Sequence, residues 1–596
     1  MTAPLKLSAI VATYNRREVL LSRSLPTLFN QDLPADEYEI VVVVDGSTDG
    51  TAEALRELRP ACTLRIIEQP NRGLSKARNA AIGIARGELV IFVDDDIICN
   101  PEVFRCHVEA HQGQGPLVAH GAIFAAPGAP ASILAHADQA WYRNYNRRLE
   151  SQGGAVWPDG TYLISNSSMP RSTLLACGGL DENLLAKDDF DLGLRLWKMG
   201  VRFRYLRDAL AYEFTVKSSR SFLFKEGEAF GRSEVMLCRK HPDYRTRSHL
   251  AALSETVWWR RLLRRVILQS PVSPVHLLTL PVAVCDKLCR YPAFQKAGLR
   301  LLELGRRFSE LRAALKETGS WKAFQSEFCA RLPVLLYHHI GPSRPGAVRG
   351  LTVSPQRFER HMRWLARRGY TGICPADWQR WRREGKGLAK KPLLLTFDDG
   401  YADLAEYAFP VLRRHGFSAG VYLVTAQMGG ASDWDGVRGA AAQPLLTAEQ
   451  VRYWATQGIE FDAHGRTHAD LTKLSAQELA EEVVGSRDDL AALVGSPVVS
   501  FAYPYGFYNQ AVVDCVRRAF DLAFIANDNN EGLNHLLTDP HLLLRTMVQT
   551  NDSWLDLESR ALWGHNPLLN LRARLRLRSR LKHAASAVLG GRKRRT

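Results

Sequence analysis

Leu89-Val90-Ile91-Phe92-Val93-Asp94-Asp95-Asp96 is an apolar, largely β-branched run that leads straight into three carboxylates. Such a run reads as a buried parallel strand whose carboxyl end opens into a site, where open α/β sheets bind their ligands. Three adjacent acids repel one another unless a cation neutralises them, and hard oxygen ligands suit Mg²⁺ or Mn²⁺. The device returns at Leu393-Leu394-Leu395-Thr396-Phe397-Asp398-Asp399-Gly400. Two strands ending in acid pairs predict two active sites.

Outward from the first run, Leu7–Ala12, Ile40–Val44 and Leu64–Ile67 read as strands, while Thr51–Leu58 and Leu74–Ala85 have helical spacing. This alternation predicts an α/β, doubly wound parallel sheet. No G-x-G-x-x-G follows the first strand and no phosphate-binding P-loop occurs, so the common dinucleotide and NTPase fingerprints are absent. From Pro333 a second βα series begins, with strands at Val334–Tyr337, Leu393–Phe397, Gly420–Val424, Ile459–Ala463, Val499–Ala502 and Leu522–Ala526. A series of that length predicts a barrel with its site at the carboxyl ends of the strands. Three ends carry chemistry: Asp398-Asp399, His464-Gly465-Arg466-Thr467-His468 and Tyr503-Pro504-Tyr505-Gly506. Two imidazoles and a carboxylate leave coordination positions open, which suits a catalytic zinc-type ion.

The 596-residue chain has a net charge of +16, but ten Arg or Lys and no acid fall between Leu571 and Thr596. The excess is mostly a tail and argues against a nucleic-acid groove across the folded body. The Met1–Lys6 start lacks a signal-peptide pattern, no apolar run reaches membrane-spanning length, and the ten cysteines have no paired spacing. These features lead us to expect a cytoplasmic protein with reduced thiols. Between the two series, Trp258, Trp259, Leu262, Leu263, Val266 and Ile267 recur at helical spacing opposite Arg260, Arg261, Arg264 and Arg265. That basic amphipathic helix could lie on an anionic membrane or pack on its own domain. Leu301, Leu304, Phe308, Leu311 and Leu315 form a short heptad-like stripe that suggests a packing helix. The expected divisions are 1–245, a helical connector 246–330, a second domain 331–555 and a basic tail 556–596.

In order, Ala12-Thr13-Tyr14-Asn15-Arg16, Val44-Asp45-Gly46-Ser47-Thr48-Asp49-Gly50-Thr51, Asn71-Arg72-Gly73 with Ala77-Arg78-Asn79, and Phe92-Val93-Asp94-Asp95-Asp96 resemble family 2 glycosyltransferases of the GT-A fold. The resemblance implies an inverting transferase that uses a nucleotide-diphosphate sugar. It implies that Thr13, Asp45, Arg78 and Asp94 hold the nucleotide sugar and that Asp96 binds the metal on the diphosphate. In Lys187-Asp188-Asp189-Phe190-Asp191 it makes Asp189 the base for the acceptor hydroxyl. Arg195-Leu196-Trp197 only approximates the Gln-x-x-Arg-Trp of processive relatives, which points to addition of one sugar. Glu213 stands near the position where relatives often carry a metal-binding His.

Thr396-Phe397-Asp398-Asp399-Gly400, His464–His468 and Phe501-Ala502-Tyr503-Pro504-Tyr505-Gly506 resemble the polysaccharide deacetylases, carbohydrate esterase family 4, with a distorted (β/α) barrel. Pro333-Val334-Leu335-Leu336-Tyr337-His338-His339 is similar to the opening of the poly-N-acetylglucosamine deacetylase branch. By resemblance Asp399, His464 and His468 hold Zn²⁺ or a similar divalent ion, Asp398 is the base, and the Tyr505 N–H receives the oxyanion. Two departures stand out. Ala502 replaces an Arg that pairs with the catalytic Asp in many relatives, and His541 is a weak stand-in for a late acid histidine. The expected protein is therefore bifunctional. It transfers a sugar, an N-acetylhexosamine, to a glycan or lipid-linked acceptor, and it removes acetyl groups from a glycan of the cell envelope or an exopolysaccharide. The alternative is an active transferase with a degenerate, glycan-binding barrel. The basic tail is expected to bring the chain to the inner face of the membrane.

Overall fold

The computed structural model describes residues 5–566, apart from 129–130, 152–163, 215–217, 252–269, 271–272, 274, 343–349, 386, 439–440 and 527–530. The expected Arg260–Arg265 helix and the basic tail from Leu571 lie outside the described residues. Chain contacts divide the protein into two compact units. One comprises Met1–His241 with Val257–Phe324, and the other Pro242–Thr256 with Gln325–Thr596.

The first unit is built on an eight-stranded sheet in the order β3-β2-β1-β4-β7-β6-β8-β5. Its strands are β1 (Leu7–Thr13), β2 (Tyr38–Asp45), β3 (Thr63–Gln69), β4 (Leu89–Phe92), β5 (Ile97–Cys99), β6 (Leu117–Ala125), β7 (Ser167–Pro170) and β8 (Arg202–Glu213). β3, β2, β1 and β4 are parallel, as the apolar runs predict. Those runs are continuous because both faces are covered: Leu7, Ala9 and Val11 pack in one core and Ile10 in the other. The remaining half is mixed, with β7 antiparallel between β4 and β6 and β5 antiparallel to β8. β7 reads Ser-Ser-Met-Pro, which has no hydrophobic period to reveal it.

Helices Val275–Lys287 and Pro292–Glu317 also belong to this unit. The longer one uses the expected leucine stripe in part: Leu311 is buried and Leu301 and Phe308 pack on a core cluster, while Leu304 is exposed. It also buries Gly298, Leu302, Gly305 and Ser309. Small residues set this face by admitting close backbones: a Cβ on Gly231 of the facing helix would lie 2.1 Å from the Glu310 carbonyl oxygen.

The second unit contains β9 (Arg331–Tyr337), the short pair β10 (His339–Ile340) and β11 (Thr352–Val353), β12 (Thr371–Ile373), β13 (Pro392–Phe397), β14 (Ala419–Leu423), β15 (Ile459–Ala463), β16 (Ser500–Ala502), β17 (Leu522–Ala526), β18 (Leu533–His535) and β19 (Leu543–Met547). Seven of these, β9-β13-β14-β15-β16-β17-β19, close into a parallel barrel because β9 pairs with both β13 and β19. β12 extends the sheet beside β13, and β18 runs antiparallel to β9. None of the ten cysteines is in a disulfide.

Candidate active sites

In the first unit the carboxyl ends of β1, β2 and β4 converge on a cleft of about 360 Å³ that includes Thr13, Arg16, Asp45, Asn71, Asp94, Asp95, Asp96 and Glu213. Asp45 ends β2 and accepts the backbone N–H groups of Arg72 and Gly73 at 2.9 Å each, and the Gln69 amide at 2.7 Å. The loop that carries Asn71 and Gly73 is thereby fixed across the cleft. Thr13 Oγ1 donates to Asp95 at 2.8 Å. Arg16 reaches both Asp95, at 3.1 Å, and Asp96, at 2.5 Å. Burial, only partly offset by Arg16 and reinforced by Asp96 and Asp94, pushes the Asp95 carboxyl up to about 7. The Arg16 guanidinium is therefore too little positive charge for the Asp95 and Asp96 it serves.

Arg78 is buried on the Leu74–Ile84 helix and bridges two carboxylates, Asp94 at 2.6 Å and Asp188 at 3.2 Å. Ser75 Oγ also donates to Asp188, at 3.1 Å. Asp188 and Asp189 open the Asp188–Lys198 helix, and Lys187 enters it with a left-handed φ of 59°. Asp189 is pushed up to about 7, first by burial and then by Asp188 beside it. That value suits a group which must take a proton near neutral pH. The helix is anchored from behind by Asp191, which accepts from His241 Nε2 and Arg195 Nε at 2.8 Å. Glu213, at the end of β8, accepts from the Tyr142 hydroxyl, and the Asp96 carbonyl accepts the Phe214 N–H at 2.8 Å.

In the second unit the ends of β9, β13, β15 and β16 enclose a smaller pocket of about 80 Å³. Among its lining residues are His338, Asp398, Asp399, His464, His468 and Tyr505. The Nε2 atoms of His464 and His468 lie 3.5 and 3.2 Å from Asp399 Oδ1. Among the described residues this is the one group of three or more such side chains whose ligand atoms lie close enough together to share an ion. His464 Nδ1–H donates to the Ala502 carbonyl at 2.7 Å, which leaves its Nε2 lone pair facing the pocket. Three buried donors with an orienting hydrogen bond and room beyond them fit a catalytic divalent cation. Asp399, His468 and Tyr505 all adopt positive φ, 70°, 64° and 59°. Side chains rarely take that conformation, and it clusters here at the site.

Beside the ligand group, Arg545 on β19 grips Asp398 with both terminal nitrogens, at 2.6 and 2.8 Å. Burial alone would raise the Asp398 carboxyl, but Arg545 and the nearby histidines hold it below the usual range. His338 is buried against the same pocket, and its Nδ1 atom has no hydrogen-bond partner. Trp434 stacks on His468 with ring centroids 4.5 Å apart.

The glycosyl transferase family 2 profile matches residues 8–163, which carry the first cleft, and the polysaccharide deacetylase profile matches residues 385–520, which carry the second. The chain joins a domain that matches the glycosyl transferase family 2 profile to a domain that matches the polysaccharide deacetylase profile. The deacetylase half is 28% identical to the Bacillus subtilis protein YxkH, provisionally named a polysaccharide deacetylase, over 34% of this chain and 66% of that one. The transferase half is 27% identical to the uncharacterized glycosyltransferase YfnE of the same organism, over 35% of this chain and 64% of YfnE. A shorter segment is 40% identical to the poly(ribitol-phosphate) β-N-acetylglucosaminyltransferase TarS of Staphylococcus aureus, over 17% of this chain and 18% of TarS. The chain thus spans just under two thirds of the first two of these relatives.

The transferase cleft brings together Thr13, Asp45, Asp94 and Asp96, while Arg78 lies behind them, tying the Asp94 side to the Asp188 side. The deacetylase pocket brings together Asp398, Asp399, His464, His468 and Tyr505. His541 is elsewhere: its Nε2–H donates to the Phe520 carbonyl at 3.0 Å, and it does not line the pocket. Sequence reading missed Arg545, His338 and the bridging role of Arg16. The signal for His338 was present in Tyr337-His338-His339 at the end of a strand. Arg545 gave none, because a lone arginine 147 residues from its aspartate carries no pattern.

Proposed function

We propose that the chain is a bifunctional, metal-dependent carbohydrate enzyme of envelope or exopolysaccharide synthesis. Its transferase half moves an N-acetylhexosamine from a nucleotide-diphosphate sugar to a glycan or lipid-linked acceptor with inversion. Its deacetylase half hydrolyses N-acetyl groups of a glycan. The N-acetylglucosaminyl donor in the name of TarS supports the choice of sugar. The observation that carries the second activity is the Arg545–Asp398 pair, which supplies from β19 the arginine contact that Ala502 cannot make. A degenerate, binding-only barrel has no need for a buried, ionised carboxylate held beside a ligand triad.

In the transferase, Asp45 and Thr13 seat the nucleoside side, with Asp94 near the ribose. Arg78 positions Asp94 and Asp188 together, so donor site and base keep a fixed separation. Asp189 takes the proton of the acceptor hydroxyl. Asp96, with Glu213 near it, would hold Mg²⁺ or Mn²⁺, whose charge neutralises the departing diphosphate.

In the deacetylase, Asp399, His464 and His468 would hold Zn²⁺ or a similar ion, which polarises an amide carbonyl and acidifies water. Asp398 accepts the proton of the attacking water, and Arg545 keeps it ionised and aimed. His338, which burial holds toward its neutral form, would pass the proton taken up by Asp398 on to the leaving amine. The Tyr505 N–H points to where the amide oxygen gathers charge. The pocket is small beside the roughly 300–1,000 Å³ of drug-sized sites, which fits an acetyl group with the sugar ring resting at the mouth.

The basic tail, Leu571–Thr596, is the proposed attraction to an anionic inner leaflet. The test is purified full-length chain offered a panel of nucleotide sugars and an N-acetylated oligosaccharide, with nucleotide and acetate release followed by mass spectrometry. Asp189→Asn should cut transfer by about 10²–10⁴-fold and leave acetate release intact. No acetate release with Zn²⁺ supplied would leave the barrel a binding module.

A further inference from the structure

The helix Val275–Lys287 is apolar on two opposite sides. One side is accounted for: Val275, Val282 and Cys285 are buried in a cluster with Ile133, Leu134, Leu223 and Leu302. The other side faces out. Leu277 is 75% exposed, Leu280 72% and Val284 43%, at i, i+3 and i+7 along one stripe. Past the helix end Tyr291, 47% exposed, and Phe294, 38% exposed, add two aromatic side chains at the start of the next helix. A single exposed leucine is ordinary, whereas a continuous exposed apolar face marks an interaction surface.

Charge says what that surface meets. Between Val275 and Arg300 the sole acid is Asp286, and its carboxylate is engaged inward, accepting from the Ile133 N–H at 2.9 Å and from Ser219 Oγ at 3.1 Å. Lys287, Arg290, Lys296 and Arg300 are all exposed along the same two helices. Apolar residues, aromatic residues at their edge and unopposed cations are the composition of a helix that lies in an anionic lipid interface. The helix cannot cross one: thirteen residues make about 20 Å of helix against roughly 30 Å of hydrocarbon. No described helix is long and apolar enough to span.

The place of the helix gives the contact a purpose. Asp286 ties it to Ser219, and the flanking Ser218 and Ser221 line the broad cleft that also contains Asn15, Arg16 and Arg17. Arg16 in turn holds Asp95 and Asp96 of the transferase site. We propose that the Leu277–Leu280–Val284 face, with Tyr291, Phe294 and its four cations, seats the transferase half on an anionic bilayer. The mouth of its cleft is then held where lipid-linked acceptors lie. This deepens the reading of a membrane-associated acceptor, on which it rests, and adds a surface distinct from the basic tail.

Flotation of the full-length protein separates the two. Three forms are compared: the natural chain, Leu277→Ser with Leu280→Ser, and the chain ending at Asn570. Vesicles are phosphatidylcholine alone or phosphatidylcholine mixed with phosphatidylglycerol. Each leucine withdrawn from water is worth about tenfold in partition, so the double substitution should weaken binding to the anionic vesicles about 100-fold. The unfolding midpoint and transfer to a water-soluble acceptor should stay unchanged. Lys287→Glu with Arg290→Glu should weaken anionic binding while leaving the same midpoint. Equal flotation of the natural chain and the leucine variant overturns the proposal; if truncation alone then abolishes binding, the tail recruits and the membrane reading survives. Self-association of the natural chain without vesicles, lost in the leucine variant, would make the face a contact between copies and also overturn it. Absence of flotation by any form overturns both readings.

Discussion

Arg545 and Asp398 form a buried pair in which each residue makes the other tolerable. A carboxylate in the barrel interior is costly without a partner, and the two-pronged grip fixes the orientation of the oxygens as well as their charge. Arg545→Lys keeps the charge but loses the fork, so we expect acetate release to drop roughly 10- to 100-fold with metal content unchanged. Arg545→Met leaves Asp398 buried and alone and should lower the stability of the second unit by about 3–5 kcal/mol. Acetate assays with metal analysis and denaturant unfolding check both, and full activity in the methionine variant would remove Arg545 from the mechanism. The ligand triad and the acid triplet were legible in the sequence because each follows a buried strand within a few residues. The partners that make those acids usable, Arg545, Arg78 and Arg16, come from distant elements. Only the folded chain places them.

At the scale of elements, the part of the fold that the sequence concealed is a polar layer inside the first sheet. β7 brings Ser167 and Ser168 between β4 and β6. Ser168 Oγ meets His107 Nδ1 at 2.7 Å and His111 Nε2 at 2.9 Å, and Ser167 Oγ meets His120 Nδ1 at 2.8 Å. Burial pushes these imidazoles down, to about 3, 4 and 3 respectively. The folded unit therefore keeps them neutral while the unfolded chain binds protons near pH 6.5, so stability is full above that value and falls as pH drops toward 4. Each histidine removes about 1.4 kcal/mol per pH unit within that window. Unfolding of the first unit at about pH 7.5 and about pH 5 should show the loss, and His120→Phe should lessen it. A midpoint unchanged between the two would mean that the folded layer takes up the same protons as the unfolded chain, so that burial does not hold it neutral. Apolar runs revealed β1 to β4, of which β1, β2 and β4 are buried on both faces, and they have no means to reveal a strand of serines satisfied by histidines.

For the whole molecule, two units with their own cores should unfold in two steps, and the segment 242–251 reports which step is which. Arg245 lies in that segment yet is buried in the second unit, where Nη1 donates to the Trp381 carbonyl at 2.9 Å and the guanidinium lies 4.8 Å from the Trp381 ring. Arg245→Ala should lower the barrel transition by about 1.5–3 kcal/mol and leave the other in place; calorimetry of the full chain distinguishes this from a shift of both. The barrel also has an order in time. Asp398 leaves the ribosome 147 residues before Arg545, an interval of roughly 7–30 s at ordinary elongation rates. Until β19 emerges, β17 and β9 have no strand between them and Asp398 lacks its arginine partner. A nascent chain thus gains the guanidinium partner of Asp398 at the moment its ring of strands closes, and an incompletely synthesised one never has it.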